Sequence, residues 1–357
     1  MYLDPQAVLE SAQRHLGNGP FVHEQLPGGA SLRRFHRLKG RAPGASIESV
    51  IVMELGPEAH KPEEITAGAA PTEIPFLNVQ RYLATGGIGV PSLLGRDEEK
   101  GLLFVEDLGD QTLEAAVKDA SDAERARYYE AAIAELVRLQ RYASEHPDPS
   151  CVAFGRSFDR ALLRWELDHF REYGIDAQQI ALTTIERSTM EAAFDRLADE
   201  LAALPRLLVH RDYQSRNLMV QEGALGAAPK IRVVDFQDAL LGPYIYDLVG
   251  LLRDSYVVLS PELLGQLVVH FATLSRRSVE ETQLHFAMQT VQRKLKDAGR
   301  FVFIDRVKKN PSFLRHIPSS IRYVRDALDR LDELGVREYR TIAELLESKA
   351  AQFSSAT

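Results

Sequence analysis

Between residues 20 and 56 apolar and polar positions alternate in short runs broken by turn residues, the period-2 texture of half-buried strands. "FVHEQL" (21–26), "LRRFHRL" (32–38) and "SVIVMEL" (49–55) read as strands joined by "PGGAS" (27–31) and "KGRAPGAS" (39–46). A polar stretch (58–73) reads as a loop, "IPFLNVQRYLA" (74–84) as a helix, and "SLLGRDEEKGLLFVEDL" (92–108) as two strands around a charged turn. After Gly109 the period changes to helical. "TLEAAVKDA" (112–120), "DAERARYYEAAIAELVRLQRYA" (122–143), "SFDRALLRWELDHFREYG" (157–174) and "TTIERSTMEAAFDRLADELAAL" (183–204) each predict a helix, the second with Asp122 as its cap. The N-terminus predicts a helix capped by Asp4 with Pro5 at its first position. Everything from Tyr244 onward is helix-patterned, with Ser260 capping ahead of Pro261. The expected class is therefore α+β. A small antiparallel sheet lobe covers 1–104, a connector 105–109, and a mainly helical lobe 110–357. Two lobes on a short connector place a ligand between them.

Within the helical lobe, "LLVHRDYQSRNLMV" (207–220) sets His210, Arg211, Asp212, Arg216 and Asn217 between two apolar runs. A hairpin needs no such chemistry. Downstream, "IRVVD" would fold back beside "NLMVQ", carrying Asp235 toward Asn217. A carboxylate and an amide oxygen suit Mg²⁺, which takes hard oxygen ligands and completes its shell with water and phosphate. Asp212 is then free to orient and deprotonate a hydroxyl, the minimum that phosphoryl transfer requires.

Composition narrows this reading. The 357 residues are 45% hydrophobic, and 51 acidic against 43 basic residues give a net charge of −8. Nucleic-acid binding needs clustered cations, and this balance argues against it. The single cysteine, Cys151, excludes an internal disulfide and reads as a small, partly buried side chain. The N-terminus lacks the pattern of a signal peptide, and no apolar run reaches the ~20 residues that span a bilayer. A cytoplasmic location, no membrane association and a monomeric state are the expectations.

"HRDYQSRN" matches the protein-kinase pattern H-R-D-x-x-x-x-N, and "DFQ" stands where that family has D-F-G. With "GGASLRRFHRL", "VIVMELGPE", "GLLFVEDLGDQTL", "VVDFQDALLGPYIYDLVGLLRDSY" and "QRKLKDAGRF", the chain resembles the aminoglycoside phosphotransferase superfamily. Within it, the resemblance is nearest to the anomeric kinases of cell-wall sugar recycling. The resemblance implies a bilobal protein-kinase-like fold, ATP and Mg²⁺ as cofactors, and a sugar hydroxyl as acceptor. It implies Asp212 as base, Asn217 and Asp235 as metal ligands, and adenine held by the backbone of Glu106 and Leu108. It also implies phosphates covered by the loop of Gly29 and Ser31, and Asp247 bracing the catalytic loop. An antibiotic-modifying phosphotransferase and a nucleotide-binding pseudokinase are the alternatives of the same fold.

Met53 departs from the family by standing where kinases carry the phosphate-pairing Lys. Arg33, Arg34, Arg37 and Lys61 are the nearby cations. Strand alternation sends Arg33 and Arg37 to one face and Arg34 to the other; Arg34, just past the phosphate loop, is the expected substitute. Glu166 and His169, three apart on one helix, are expected to line the sugar pocket beside Trp165. Gln214, Arg216 and Arg293 are further substrate candidates, and Lys294 and Lys296 share the segment of Arg293. His210 reads as a packed scaffold residue.

Overall fold

The structure is a computed structural model. It describes residues 3–17, 20–26, 33–40, 47–56, 73–223 and 227–349. Gly29, Ser31 and Lys61 lie outside the described residues.

The chain opens with α1 (Pro5–Leu16), followed by β1 (Phe21–Gln25), β2 (Arg34–Gly40), β3 (Ser49–Glu54), α2 (Pro75–Thr85), β4 (Leu93–Asp97) and β5 (Leu102–Glu106). The strands form one antiparallel sheet in the order β1-β2-β3-β5-β4. Both faces are covered, which explains the near-continuous apolar run of β3. Leu38, Val50, Val52, Leu102 and Phe104 pack on Val8 and Ala12 of α1. The alternate positions Phe35, Ile51, Met53, Leu103 and Val105 pack on Phe76, Leu77 and Leu83 of α2. Asp4 caps α1, its carboxylate accepting the Ala7 amide at 2.8 Å, with Pro5 next in line.

The second lobe runs through α3 (Leu113–Val117), α4 (Asp122–Glu145), α5 (Arg160–His169), α6 (Thr184–Ala202), β6 (Arg206–Val209), β7 (Leu218–Gln221), β8 (Lys230–Val233) and β9 (Leu240–Pro243). It continues with α7 (Tyr246–Leu252), α8 (Pro261–Ser275), α9 (Val279–Lys308), α10 (Ile317–Glu333) and α11 (Arg340–Ser348). The long α9 is its spine: Val291, Leu295, Ala298 and Val302 are buried in a core shared with α5, α6 and α10. The bilobal arrangement is that of protein kinases. Among the described residues, no helix is long and apolar enough to cross a membrane.

Four local differences have physical reasons. Ser121, not Asp122, caps α4, because Glu124 closes a reciprocal capping box with Ser121. The expected helix over 157–174 splits: α5 ends at His169 and a π-helical stretch, Phe170–Asp176, follows. That widening lies where α9 comes close; a Cβ on Gly299 would stand 2.7 Å from the Phe170 Cα and 2.8 Å from the His169 carbonyl oxygen. The strands flanking the catalytic loop belong to different ribbons, β6 pairing with β9 and β7 with β8. Finally, β5 extends through Glu106, so the expected connector starts as strand.

Candidate active site

The loop from His210 to Asn217 joins β6 to β7 and is clamped from below. Asp247, fully buried in the first turn of α7, accepts the His210 amide at 2.6 Å and the Arg211 amide at 2.9 Å. Burial raises the Asp247 pKa, and the two amides and His210 counter that rise. Seven residues on, Asp254 accepts the Ser215 amide at 2.9 Å and the Ser215 hydroxyl. From α9, the Arg293 guanidinium donates to the Arg211 carbonyl at 2.8 Å and lies 3.7 Å from the Asp212 carboxylate. Burial opposes the Arg293 charge, but Tyr246, Asp297, Asp212 and Glu166 around it raise its pKa and hold it protonated. The clamp holds strained backbone at Arg211, φ +82°, and Asp235 beyond β8 also has positive φ, +66°, a region that non-glycine residues seldom adopt.

Asp212 itself stands open, its side chain 47% exposed above this buried support. The Asn217 side-chain N–H donates to the Asp212 carbonyl at 2.9 Å, which fixes the amide and turns its oxygen away from that bond. The register pairs Leu218 with Val233, and the Val234 amide donates to the Asn217 carbonyl at 3.0 Å. Asp235 is thereby delivered to the same end of the ribbon as Asn217. The Gln237 side chain, in the place of the D-F-G glycine, donates to Asp235 at 2.8 Å and to Asp238 at 3.3 Å. Among the described residues, no three of His, Cys, Asp and Glu cluster as a metal cage. An amide oxygen with one exposed carboxylate fits Mg²⁺, whose other ligands come from water and phosphate. His210 is packed: its ring bonds the Val234 carbonyl at 2.9 Å, and burial lowers its pKa.

The connector is latched from both lobes. The Arg37 guanidinium donates to Asp107 at 2.7 Å and contacts Asp110 at 2.8 Å; Arg232 donates to Glu106 at 2.7 Å. Burial pushes the Asp107 pKa up, but the Arg37 bonds and the Gly109 amide hold it below the ordinary value. The Glu106 backbone amide donates to the Ser92 carbonyl at 2.9 Å and is thereby used within the sheet edge. Leu108 is half-buried at the connector.

The remaining candidates have varied surroundings. Glu166 is fully buried beneath the loop, accepting from Gln292 at 2.8 Å with Lys296 at 3.8 Å and Arg211 at 4.0 Å. His169 is buried in an aromatic group with Trp165, Tyr173 and Phe303. Arg216 pairs with Glu114 at 2.6 Å and lies over the Tyr256 ring. Gln214 is half-buried, its amide donating to the Asp212 carbonyl at 2.9 Å. Arg34 shares the face of His36 and Leu38, which packs toward α1 and away from Met53 and Phe35. Met53 is buried among Phe76, Leu103 and Phe236. Cys151 is buried. Cavities of about 360 and 410 Å³ lie between α8, α9 and α10 and beside α4, and none of Asp212, Asn217 or Asp235 lines them. Sequence reasoning missed Asp238 and Asp254, although both stand in segments that carried the resemblance. Asp254 follows Asp247 by two helical turns, the spacing that could have paired them.

The model of the phosphotransferase enzyme family matches residues 22–281. The chain belongs to that family. This phosphotransferase is 32% identical over 282 residues to the N-acetylmuramate/N-acetylglucosamine kinase of Neisseria meningitidis serogroup B, covering 76% of this chain and 79% of that one. It is 30% identical over 314 residues to the protein of the same name from Pseudomonas putida, covering 85% and 83%. In fold it resembles choline kinase from Cryptosporidium parvum, with a TM-score of 0.65, 11% identity, and 95% and 99% of the two chains covered. The phosphotransferase is thus a small-molecule kinase with an alcohol acceptor.

Proposed function

We propose that this phosphotransferase moves the γ-phosphate of ATP to the anomeric hydroxyl of an N-acetylated amino sugar. One observation carries the chemistry. A half-exposed carboxylate, Asp212, stands on a loop whose amides and carbonyl are fixed by Asp247, Asp254 and Arg293. The sugar assignment is supported by the names of the relatives. The lobes would meet at 105–109, with 1–104 covering the nucleotide and 110–357 holding the acceptor.

Asp212 would accept a hydrogen bond from the C1 hydroxyl, aim its oxygen at the γ-phosphorus and take its proton as the new bond forms. The terminal phosphorus–oxygen bond breaks and ADP leaves. Asn217 and Asp235 would hold Mg²⁺, which when bound neutralises phosphate charge. The Glu106 carbonyl and Leu108 amide would hold adenine. Gly29 and Ser31 are proposed to cover the phosphates. Gln214 would stand beside the acceptor, while Glu166 and Arg293 act from beneath the loop. Because the protein groups are pre-positioned, they need not reorganise as charge develops.

The test is an ATP-coupled turnover screen across monosaccharides and aminoglycosides, followed by phosphorus NMR of the product. The expected product is a sugar 1-phosphate, seen as an anomeric phosphate ester. A 6-phosphate would overturn the regiochemistry. Turnover with aminoglycosides alone would overturn the acceptor class.

A further inference from the structure

Met53 removes the strand cation that kinases use against the nucleotide phosphates, and its side chain is sealed in the apolar cluster of Phe76, Leu103 and Phe236. The charge has to come from elsewhere. On β2, register places Phe35 opposite Met53 and Arg34 opposite Glu54. Phe35 packs with the cluster beneath the cleft face, and Leu38 with the cluster under α1. Arg33, Phe35 and Arg37 therefore share the face turned to the second lobe, and Arg34 does not. Arg37 is engaged by Asp107 and Asp110 at the connector. Lys61 lies outside the described residues, and Arg33 stands four residues back from Arg37 along the same face. It stands close enough to Asp238 for its charge to lower that carboxyl's pKa against the rise caused by burial. Asp238 shares the Gln237 amide with Asp235, the proposed metal ligand. The charge of Arg33 is thus felt at the Asp235 end of the cleft, on the face that β2 turns to the second lobe.

We infer that Arg33 supplies the cation that pairs with the nucleotide β- and γ-phosphates, exchanging Asp238 for phosphate when nucleotide enters. The inference rests on the kinase reading above and adds the group that replaces the missing lysine. A guanidinium can bind phosphate oxygens through two parallel N–H bonds, which a lysine cannot.

The experiment is calorimetric titration of the full-length protein with MgAMP-PNP and, separately, with adenosine. Arg33→Ala should weaken MgAMP-PNP about 100-fold, the size of a lost charge-stabilising donor, and leave adenosine binding unchanged. Arg33→Lys should recover part of the loss. Lys39→Ala, exposed on the same strand, controls for damage to β2. Equal losses for both ligands would mean that Arg33 only supports the lobe, and would overturn the assignment. So would a larger selective loss in Arg34→Ala than in Arg33→Ala. If the unmodified protein binds neither ligand, the kinase reading itself falls; if it binds both and Arg33→Ala matches it, only the Arg33 assignment falls.

Discussion

Replacing Asp247 by Asn removes one acceptor from beneath the catalytic loop with almost no change in volume. In the native protein its two oxygens take the His210 and Arg211 amides at 2.6 and 2.9 Å. Asn offers one oxygen; its NH₂ must face the other amide, donor against donor. A buried amide left without an acceptor costs about 1–3 kcal/mol, and a bond to a charged acceptor is worth about 1.5–3 kcal/mol. One contribution runs the other way. Burial raises the Asp247 pKa, so loss of the charge relieves some desolvation. The net expectation is a destabilisation of about 2 kcal/mol.

Activity should fall by more than stability does. The clamp holds Arg211 at φ +82°, a backbone setting that costs about 1–3 kcal/mol and persists only where its surroundings enforce it. With half the clamp gone, residue 211 can relax toward negative φ and carry Asp212 with it. A displacement of about 1 Å at a reacting group lowers turnover about 100-fold. Three measurements check this chain of effects: urea unfolding, amide hydrogen exchange at 210 and 211, and acceptor-dependent ATP turnover. Faster exchange at both amides with about 100-fold slower turnover is expected. Protected amides, or turnover within about threefold of the unmodified protein, would refute the argument that Asp247 positions the base through the backbone.

Asp212→Ala should abolish acceptor-dependent turnover, a loss of about 10²–10⁴-fold for a general base, measured beside nucleotide binding that stays intact. Asn217→Ala should raise the Mg²⁺ concentration for half-maximal turnover by about tenfold or more, and unchanged magnesium dependence would count against its ligand role. Arg37→Ala leaves Asp107, whose side chain is 6% exposed, without its cation, and should cost about 3 kcal/mol in urea unfolding. Burial lowers the His210 pKa from 6.5, so the folded state keeps the ring neutral while the unfolded chain takes up a proton. Stability should therefore fall as pH drops through about 6.5, by at most about 1.4 kcal/mol per pH unit from this group, and His210→Gln should flatten that slope.

Local signals along the chain account for much of this molecule. β2 and β3 were legible as strands from short apolar runs bounded by turn residues, and the run of β3 is near-continuous because each face of the sheet packs on a separate helix. Asp4-Pro5 and Ser260-Pro261 fix helix starts through contacts three residues long. The start of α4 is encoded as locally, yet the expectation of Asp122 fell one residue off: Ser121 with Glu124 completes a capping box that Asp122 cannot, since residue 125 is Arg. The site divides along the same line. Asp212 lies on the loop leading into β7, and Asn217 and Asp235 stand at one end of the β7–β8 ribbon, so a motif and a hairpin sufficed to name all three as candidates. The groups that hold them come from far along the chain. Asp107 meets Arg37 across 70 residues, Arg211 meets Arg293 across 82, and Gln292 meets Glu166 across 126. No local pattern encodes such partners. Glu166 and His169 show the consequence: their shared helix is legible from spacing, whereas their burial against Gln292 and Phe303 of α9 is not. The same distance explains the cation. Strand alternation put Arg33 and Arg34 on opposite faces without saying which face meets the second lobe, and proximity to the phosphate loop favoured Arg34; the packing of Phe35 and Leu38 on opposite sides of the sheet turns the face of Arg33 to the cleft instead.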